Sequence, residues 1–233
     1  MAVGPPSDKI FCMSMRKKPF ANGEFYHIYN RGVDKRIIFS DDEDLERFFQ
    51  GMVEFNTINP VGSLYENSFR KLGGPTAKLE KRLVNIVAYC LNSNHFHFIL
   101  EQVSGGGISE FMKRLSGGYT WYFNNKDKRS GSLFQGKFKA IHIDTNEYLL
   151  HLSAYVNLNN KVHQLGGPTA KLISSKSSWG EYIDKNLKGV CEKDIILDQF
   201  KNINEYKKFS LSSLEMIKKR KEDIKDIEKF LLE

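Results

Sequence analysis

Apolar and polar positions alternate along this chain in two different rhythms. Residues 24–30 (Glu-Phe-Tyr-His-Ile-Tyr-Asn) are aromatic and β-branched and read as a strand that Arg31-Gly32 ends. Leu45, Phe48, Phe49, Met52 and Phe55 then recur at helical spacing, with Ser40 as N-cap and Glu43 as its capping-box partner. Asn59-Pro60 stops that helix, and the polar residues 61–82 read as a loop. Leu83–Leu91 and His95–Gln102 form two strands around the turn Asn92-Ser93-Asn94. After Gly105-Gly106-Gly107 a helix is expected over 108–124, with Phe111, Leu115 and Tyr119 or Tyr122 inward. Gly117-Gly118 weakens it by roughly a kcal/mol per glycine and predicts a bend. Residues 125–131 form a basic turn, 136–143 a strand, and Thr145 or Asp144 caps a helix that runs to about Asn159.

The order strand, helix, strand, strand, helix, strand, helix predicts an α+β fold. Its core is a ferredoxin-like βαββαβ antiparallel sheet with helices on one face, followed by one more helix. The tail is helical in character. Ile217, Ile224, Ile227, Phe230 and Leu231 fall near one stripe among dense Lys and Glu, as in a surface helix packed on the body.

Within this pattern the segment His95-Phe96-His97 stands apart. Residues two apart on a strand share a face, so both imidazoles leave one side of the sheet while Phe96 and Phe98 enter the core on the other. Two adjacent neutral imidazoles can hold one divalent ion. The same spacing also suits one buried and one solvated ring. The helix over 145–159 has two faces as well. Leu149, Leu152 and Val156 share the apolar one, and Tyr148, His151, Tyr155 and Asn159 step along the other. Against a metal site, Tyr155 offers a hydroxyl nucleophile and Asn159 an amide oxygen as a third ligand.

Composition narrows the partner. Hydrophobic residues make up 40% of the chain and charged ones 27%, enough for a packed core, and no apolar run approaches a membrane span. Cys12, Cys90 and Cys191 are odd in number and far apart, which fits free thiols in a reducing cytoplasm. The net charge is +7, yet residues 181–233 hold 12 basic and 12 acidic side chains, so the excess lies entirely in residues 1–180. A basic body carrying the histidine pair favours a polyanion such as nucleic acid.

Several motifs occur together. They are Phe25-Tyr26-His27-Ile28-Tyr29-Asn30-Arg31-Gly32, Ser93-Asn94-His95-Phe96-His97, Leu133-Phe134-Gln135-Gly136-Lys137-Phe138-Lys139 and Tyr155-Val156-Asn157-Leu158-Asn159, with a weaker echo in Ser178-Trp179-Gly180-Glu181-Tyr182. In this order the chain resembles the single-tyrosine HUH transposases, the IS200/IS605-type family and, more closely, the REP-associated tyrosine transposases. The resemblance covers about residues 22–184. It implies an N-terminal arm over 1–21, a catalytic domain over 22–184 and a helical C-terminal extension over 185–233. It also implies that His95 and His97 bind the metal, Mg2+ or Mn2+, that Tyr155 is the nucleophile, and that the third ligand is Asn159. Relatives usually continue Asn-Pro, whereas here Asn160 follows, which leaves the helix end open.

The activity so implied is cutting and rejoining of single-stranded or hairpin DNA through a 5′-phosphotyrosine. The alternatives are an inactive hairpin-binding protein or repressor on the same fold, and a metal-dependent hydrolase using water. Arg31, Lys113, Arg114, Lys126, Lys128, Arg129, Lys137 and Lys139 are candidate phosphate contacts. By family resemblance, Phe134 and Gln135 are candidates for direct DNA contact. Trp121, Tyr122 and Phe123 suit core packing better than base stacking, and His27 and His151 are candidate auxiliary groups that read more readily as structural histidines. The expected setting is the cytoplasm of a bacterial or archaeal cell, as a monomer or homodimer without a membrane partner.

One motif is left over. Leu72-Gly-Gly-Pro-Thr-Ala-Lys-Leu79 recurs as Leu165-Gly-Gly-Pro-Thr-Ala-Lys-Leu172, too short for a structural repeat. Leu-Gly-Gly can be written CTT-GGC-GGT, whose reverse complement ACC-GCC-AAG reads Thr-Ala-Lys. Each copy is therefore expected to be a translated palindrome. Two similar Gly-Pro turns are the simpler alternative.

Overall fold

The strand carrying the histidine pair lies at the centre of a sheet. The computed structural model describes residues 19–59, 62, 81–163 and 175–230, the last helix's side chains only as far as residue 219. Strands β1 (Phe25–Arg31), β2 (Val84–Asn92), β3 (His95–Gln102), β4 (Lys139–Ile143) and β5 (Lys176–Ser177) follow the spatial order β4-β1-β3-β2-β5. Every neighbouring pair is antiparallel. Helix α1 (Asp42–Glu54) links β1 to β2, and α2 (Gly107–Lys126) links β3 to β4. The first four strands thus form the split βαββαβ sheet expected from the pattern.

Strand alternation sorts the side chains between two cores. Tyr26, Ile28, Phe96, Phe98 and Leu100 pack with α1 and α2 through Leu45, Phe48, Met52, Phe111 and Leu115. Ile99, Ala88 and Cys90 face the other side, where α3 (Asn146–Asn157) lays down Leu149, Leu152 and Val156. A bulge at Ile86/Ala88 sends both Val87 and Ala88 to this second core. The chain continues through α4 (Asn159–His163), α5 (Trp179–Ile183), α6 (Asp194–Leu197) and α7 (Ile203–Phe230). Helix α7 packs on α3. Buried Tyr206 accepts from Asn157 Nδ2 at 2.9 Å, and its hydroxyl lies 3.2 Å from Ser153 Oγ. Ile217 rests on the small cluster Leu158–Leu214; Ile224, Ile227, Phe230 and Leu231 lie outside the described side chains.

Four local expectations shift. The N-cap of α1 is Asp41, not Ser40: Asp41 Oδ1 accepts from Asp44 N at 2.9 Å while Asp44 Oδ2 accepts from Ser40 N at 2.7 Å. The box is thus shifted by one residue, with Asp41 as cap and the Asp44 carboxylate reaching back to the N–H of Ser40, the residue before the cap. Helix α2 runs unbroken through Gly117-Gly118. Gly118 marks a close contact rather than a bend, since a Cβ there would stand 3.0 Å from the Phe55 ring. Strand β4 begins at Lys139, because residues before it turn through Gly136 at φ 67°. Helix α3 is capped by Thr145 and ends at Asn157, so Asn159 opens the next short helix. Both copies of the repeated octapeptide fall outside the described residues. No helix among the described residues is long and apolar enough to cross a membrane.

Candidate active site

Pairing of β1, β2 and β3 assembles polar groups that lie far apart in the chain. His95 stands opposite Arg31 on one side and Asn92 on the other, and His97 stands opposite Tyr29 and Cys90. The two imidazoles leave the sheet toward α3, their ring centroids 5.2 Å apart and nearly perpendicular. Helix α3 brings the Tyr155 ring to 5.6 Å from the His97 ring, edge to face. A cleft of about 410 Å3 opens over this junction, lined by Tyr29, Arg31, Lys35, His95, His97, Gln135, Lys139 and Tyr155 among others.

Hydrogen bonds fix how the rings present their nitrogens. Asn94 Oδ1 lies 2.6 Å from His95 Nδ1; an amide oxygen only accepts, so Nδ1 carries the proton. His95 Nε2 is then the lone-pair nitrogen of the neutral ring. It faces Asn159 Oδ1 at 3.2 Å, acceptor toward acceptor. Asn92 Nδ2 donates toward both, at 3.0 Å to His95 Nε2 and 2.8 Å to Asn159 Oδ1. Asn159 itself is wholly buried, and its Nδ2 has no hydrogen-bond partner among the described residues. Its amide is thus turned oxygen-first toward His95 at the expense of its own donor.

His97 Nδ1 lies 2.9 Å from His27 Nε2. Burial lowers the His27 pKa to about 4, so this ring is neutral near pH 7 and can accept the His97 Nδ1 proton. That tautomer leaves the His97 Nε2 lone pair for another partner. The Tyr155 hydroxyl is held above the usual tyrosine pKa by burial, with the nearby Asn159 side-chain amide acting the other way. Among the described residues no group of three or more His, Cys, Asp or Glu side chains is placed to hold a metal ion. A site here rests instead on two imidazoles and a neutral amide oxygen. That set fits a divalent cation, because a cation relieves the opposed lone pairs of His95 Nε2 and Asn159 Oδ1.

The remaining candidates divide. Arg31, Gln135 and Lys139 line the cleft, and the Arg31 guanidinium bonds the Gln135 side chain. A backbone bond from Gln135 N to Arg31 O (2.8 Å) and a side-chain bond from Asn30 Nδ2 to Gly136 O (3.1 Å) hold residues 134–136 at its rim. Lys137 is exposed nearby in sequence. Phe134 is 5% exposed and packs in the core, edge to face with Phe96. Lys113 and Arg114 sit on α2, across the sheet from the histidine face. Arg114 is bonded to Glu110 and to the carbonyls of Thr57 and Asn59. Arg129 bonds Asn124 and the Ser132 carbonyl. His151 faces α7, 3.3 Å from Ser213 Oγ, away from the cleft. Sequence reasoning passed over Asn92, Lys35 and the partnership of His27 with His97. Alternation on β1 already places His27 and Tyr29 on one face, but only the β1–β3 register shows that this face adjoins the histidine pair.

Residues 75–159 match the family model described as "Transposase IS200 like". The matched segment spans β2, β3 and α3, with His95, His97, Tyr155 and Asn159, and it bears out the resemblance to the single-tyrosine, IS200-like transposases. The solved structure "Structure of the REP associates tyrosine transposase bound to a REP hairpin" is similar at 13% identity and a TM-score of 0.46, over 76% of this chain and 90% of that one. No curated protein matches the chain.

Proposed function

We propose that this protein is a metal-dependent DNA transposase that cuts and rejoins single-stranded or hairpin DNA through a 5′-phosphotyrosine on Tyr155. The observation that carries this reading is the placement of the Tyr155 ring 5.6 Å from the His97 ring, in a cleft that His95 also lines. His95, His97 and Asn159 would hold Mg2+ or Mn2+, which when bound supplies Lewis-acid polarisation of the scissile phosphate.

The chain's own groups supply the rest. Arg31, Lys35 and Lys139 make the cleft basic and draw in the DNA backbone. Burial on α3 fixes the Tyr155 phenol on one side of the cleft, so attack has a set direction. The phenolic oxygen bonds to phosphorus as the P–O3′ bond breaks. Tyr155 loses its proton and the departing 3′ oxygen gains one, which leaves a free 3′-OH. One phosphodiester is exchanged for another, so no nucleotide cofactor is consumed, and a second 3′-OH can reverse the step on another strand. The catalytic domain on this reading spans residues 22–184, with a helical extension after it.

Covalent capture tests the proposal. Hairpin DNA with single-stranded flanks is incubated with the protein and Mg2+ or Mn2+, then resolved under denaturing conditions. A protein–DNA adduct that disappears in Tyr155→Phe is expected. No adduct from any flanked hairpin would favour a hairpin-binding protein instead. Cutting that persists in Tyr155→Phe would favour hydrolysis by water.

A further inference from the structure

We propose that Asn92 is a further ligand of the divalent ion, contributing its amide oxygen beside His95 and Asn159. This rests on the metal-dependent reading above. Asn92 is the last residue of β2, stands directly opposite His95 in the β2–β3 register, and is 6% exposed. Its outer amide atom, His95 Nε2 and Asn159 Oδ1 form a triangle with edges of 2.8, 3.0 and 3.2 Å. An octahedral ion with bonds of about 2.1 Å spaces adjacent ligands about 3.0 Å apart. The triangle therefore has the dimensions of one face of such an octahedron, before any backbone movement.

In the structure Asn92 turns its Nδ2 to this corner and donates to both acceptors. A half-turn of the amide exchanges Nδ2 for Oδ1 at the same place. The Nδ2 then faces Cys90 Sγ, which lies 3.7 Å from the present Oδ1 and is a weak acceptor. One side chain thus serves two states, as a hydrogen-bond donor when the ion is absent and an oxygen ligand when it is present.

Titration of the metal-free protein with Mn2+, following free Mn2+ by electron paramagnetic resonance, tests this without reference to DNA. Asn92→Leu removes the oxygen and is expected to weaken Mn2+ binding by about tenfold or more. Asn92→Asp keeps an oxygen but has no N–H, and is expected to bind Mn2+ at least as tightly as the wild type. If Asn92 acted only as a donor, Asn92→Asp would be weakened as much as Asn92→Leu, and that result would overturn the proposal, as would an unchanged affinity in Asn92→Leu. Should Asn92→Leu fail to fold by circular dichroism, the Asp variant decides. Absence of Mn2+ binding by the wild type would remove the metal-dependent reading and this proposal together.

A second inference stands on the repeated octapeptide and is independent of the first. We infer that the DNA encoding each copy is itself a hairpin of the kind the cleft accepts; this rests on the hairpin-DNA reading. The complementarity reaches one codon beyond the Leu-Gly-Gly and Thr-Ala-Lys arms. In the first copy Lys71 can be written AAG, which pairs with Leu79 written CTT; in the second Gln164 can be written CAG, which pairs with Leu172 written CTG. The residue that differs between the copies remains complementary to the same leucine, a change that pairing of the strand permits and that a conserved peptide turn does not require. One codon further out pairing fails in both: Glu80 would need Leu or Phe where Arg70 stands, and Ile173 is not complementary to His163. Each element is therefore four codons, a proline codon as loop, and four codons in return. One lies between α1 and β2 and the other between α4 and β5, outside the elements that build the cleft.

The gene sequence at the two loci gives the first test, and arms that do not pair at either locus end the inference. A gel shift with the encoded hairpin oligonucleotide, the same oligonucleotide with one arm scrambled, and an unrelated hairpin gives the second. Binding of the encoded hairpin at least about tenfold tighter than both controls is expected. Equal affinities overturn the inference. A covalent adduct formed on the unrelated hairpin would leave the transposase reading standing even then.

Discussion

His27 governs a neighbour without touching the cleft. Its ring, neutral through burial, lies 2.9 Å from His97 Nδ1 and can accept its proton, the arrangement that would hold the lone pair of His97 Nε2 in a fixed direction. His27→Ala is expected to weaken Mn2+ binding by about 10- to 100-fold, the usual effect of losing an orienting partner, and the same Mn2+ titration measures it. An affinity equal to that of the wild type would show that packing alone orients His97. At this scale the His-x-His pair was legible, because strand alternation is local. Tyr155 and Asn159 were legible too, from helical stepping and the motif order. Asn92 and His27 were not, since each gains its meaning from a residue on another strand, and single-segment spacing does not reveal strand register. Phe134 errs in the other direction. Its motif marks it for DNA, yet alternation buries its ring against Phe96 while Gln135 beside it reaches the rim.

The position of Tyr155 depends on how α3 is clamped, and a buried polar network does the clamping. Asn157 Oδ1 accepts from Ser178 Oγ at 2.5 Å, its Nδ2 donates to Tyr206 OH at 2.9 Å, and Ser178 Oγ in turn accepts from the Tyr89 backbone N–H at 2.9 Å. Strand β2, helix α3 and helix α7 are thereby tied together two residues from the phenol. Tyr206→Phe removes only the hydroxyl and leaves the Asn157 donor buried and unpaired. A loss of about 1–3 kcal/mol is expected, read as a lower midpoint in chemical denaturation. A midpoint within error of the wild type would mean that the α3–α7 contact is held by apolar packing alone. A second element-scale prediction concerns the entry to α2. A Cβ at Gly107 would stand 2.1 Å from the Leu83 carbonyl oxygen, a backbone atom that cannot swing away. Gly107→Ala is expected to destabilise by about 1–3 kcal/mol in the same measurement. Element types were legible throughout the sheet because the two periodicities differ, whereas ends were less so. The α1 cap slid from Ser40 to Asp41 because Asp41 accepts from Asp44 N while Asp44 reaches back to Ser40 N, and α3 ended early at a backbone cap in which Leu158 N bonds the Ala154 and Val156 carbonyls.

Charge is distributed across the whole molecule in a way that separates binding from scaffolding. The excess of basic residues is confined to residues 1–180, while α6 and α7, which brace α3 from behind, belong to the balanced C-terminal stretch. Within the basic part, position decides which charges matter. Arg31 and Lys139 face the cleft. Lys113 extends from α2 on the opposite side of the sheet, 3.6 Å from Glu110. Each phosphate of single-stranded DNA neutralised by a Lys or Arg releases counterions, which steepens the negative slope of log K against log salt by about 0.7 per contact. If the strand runs through the cleft, Arg31→Ala combined with Lys139→Ala should make the slope shallower by about 1.4. Lys113→Ala should leave both affinity and slope unchanged, because its charge lies away from the path. Fluorescence anisotropy of a labelled flanked hairpin over a range of salt concentrations measures both. The converse pattern, a slope altered by Lys113→Ala and indifferent to the Arg31 and Lys139 changes, would place the DNA on the helical face of the sheet. The Tyr155 phenol would then be separated from any phosphate by the sheet itself, and strand transfer at this cleft would be untenable.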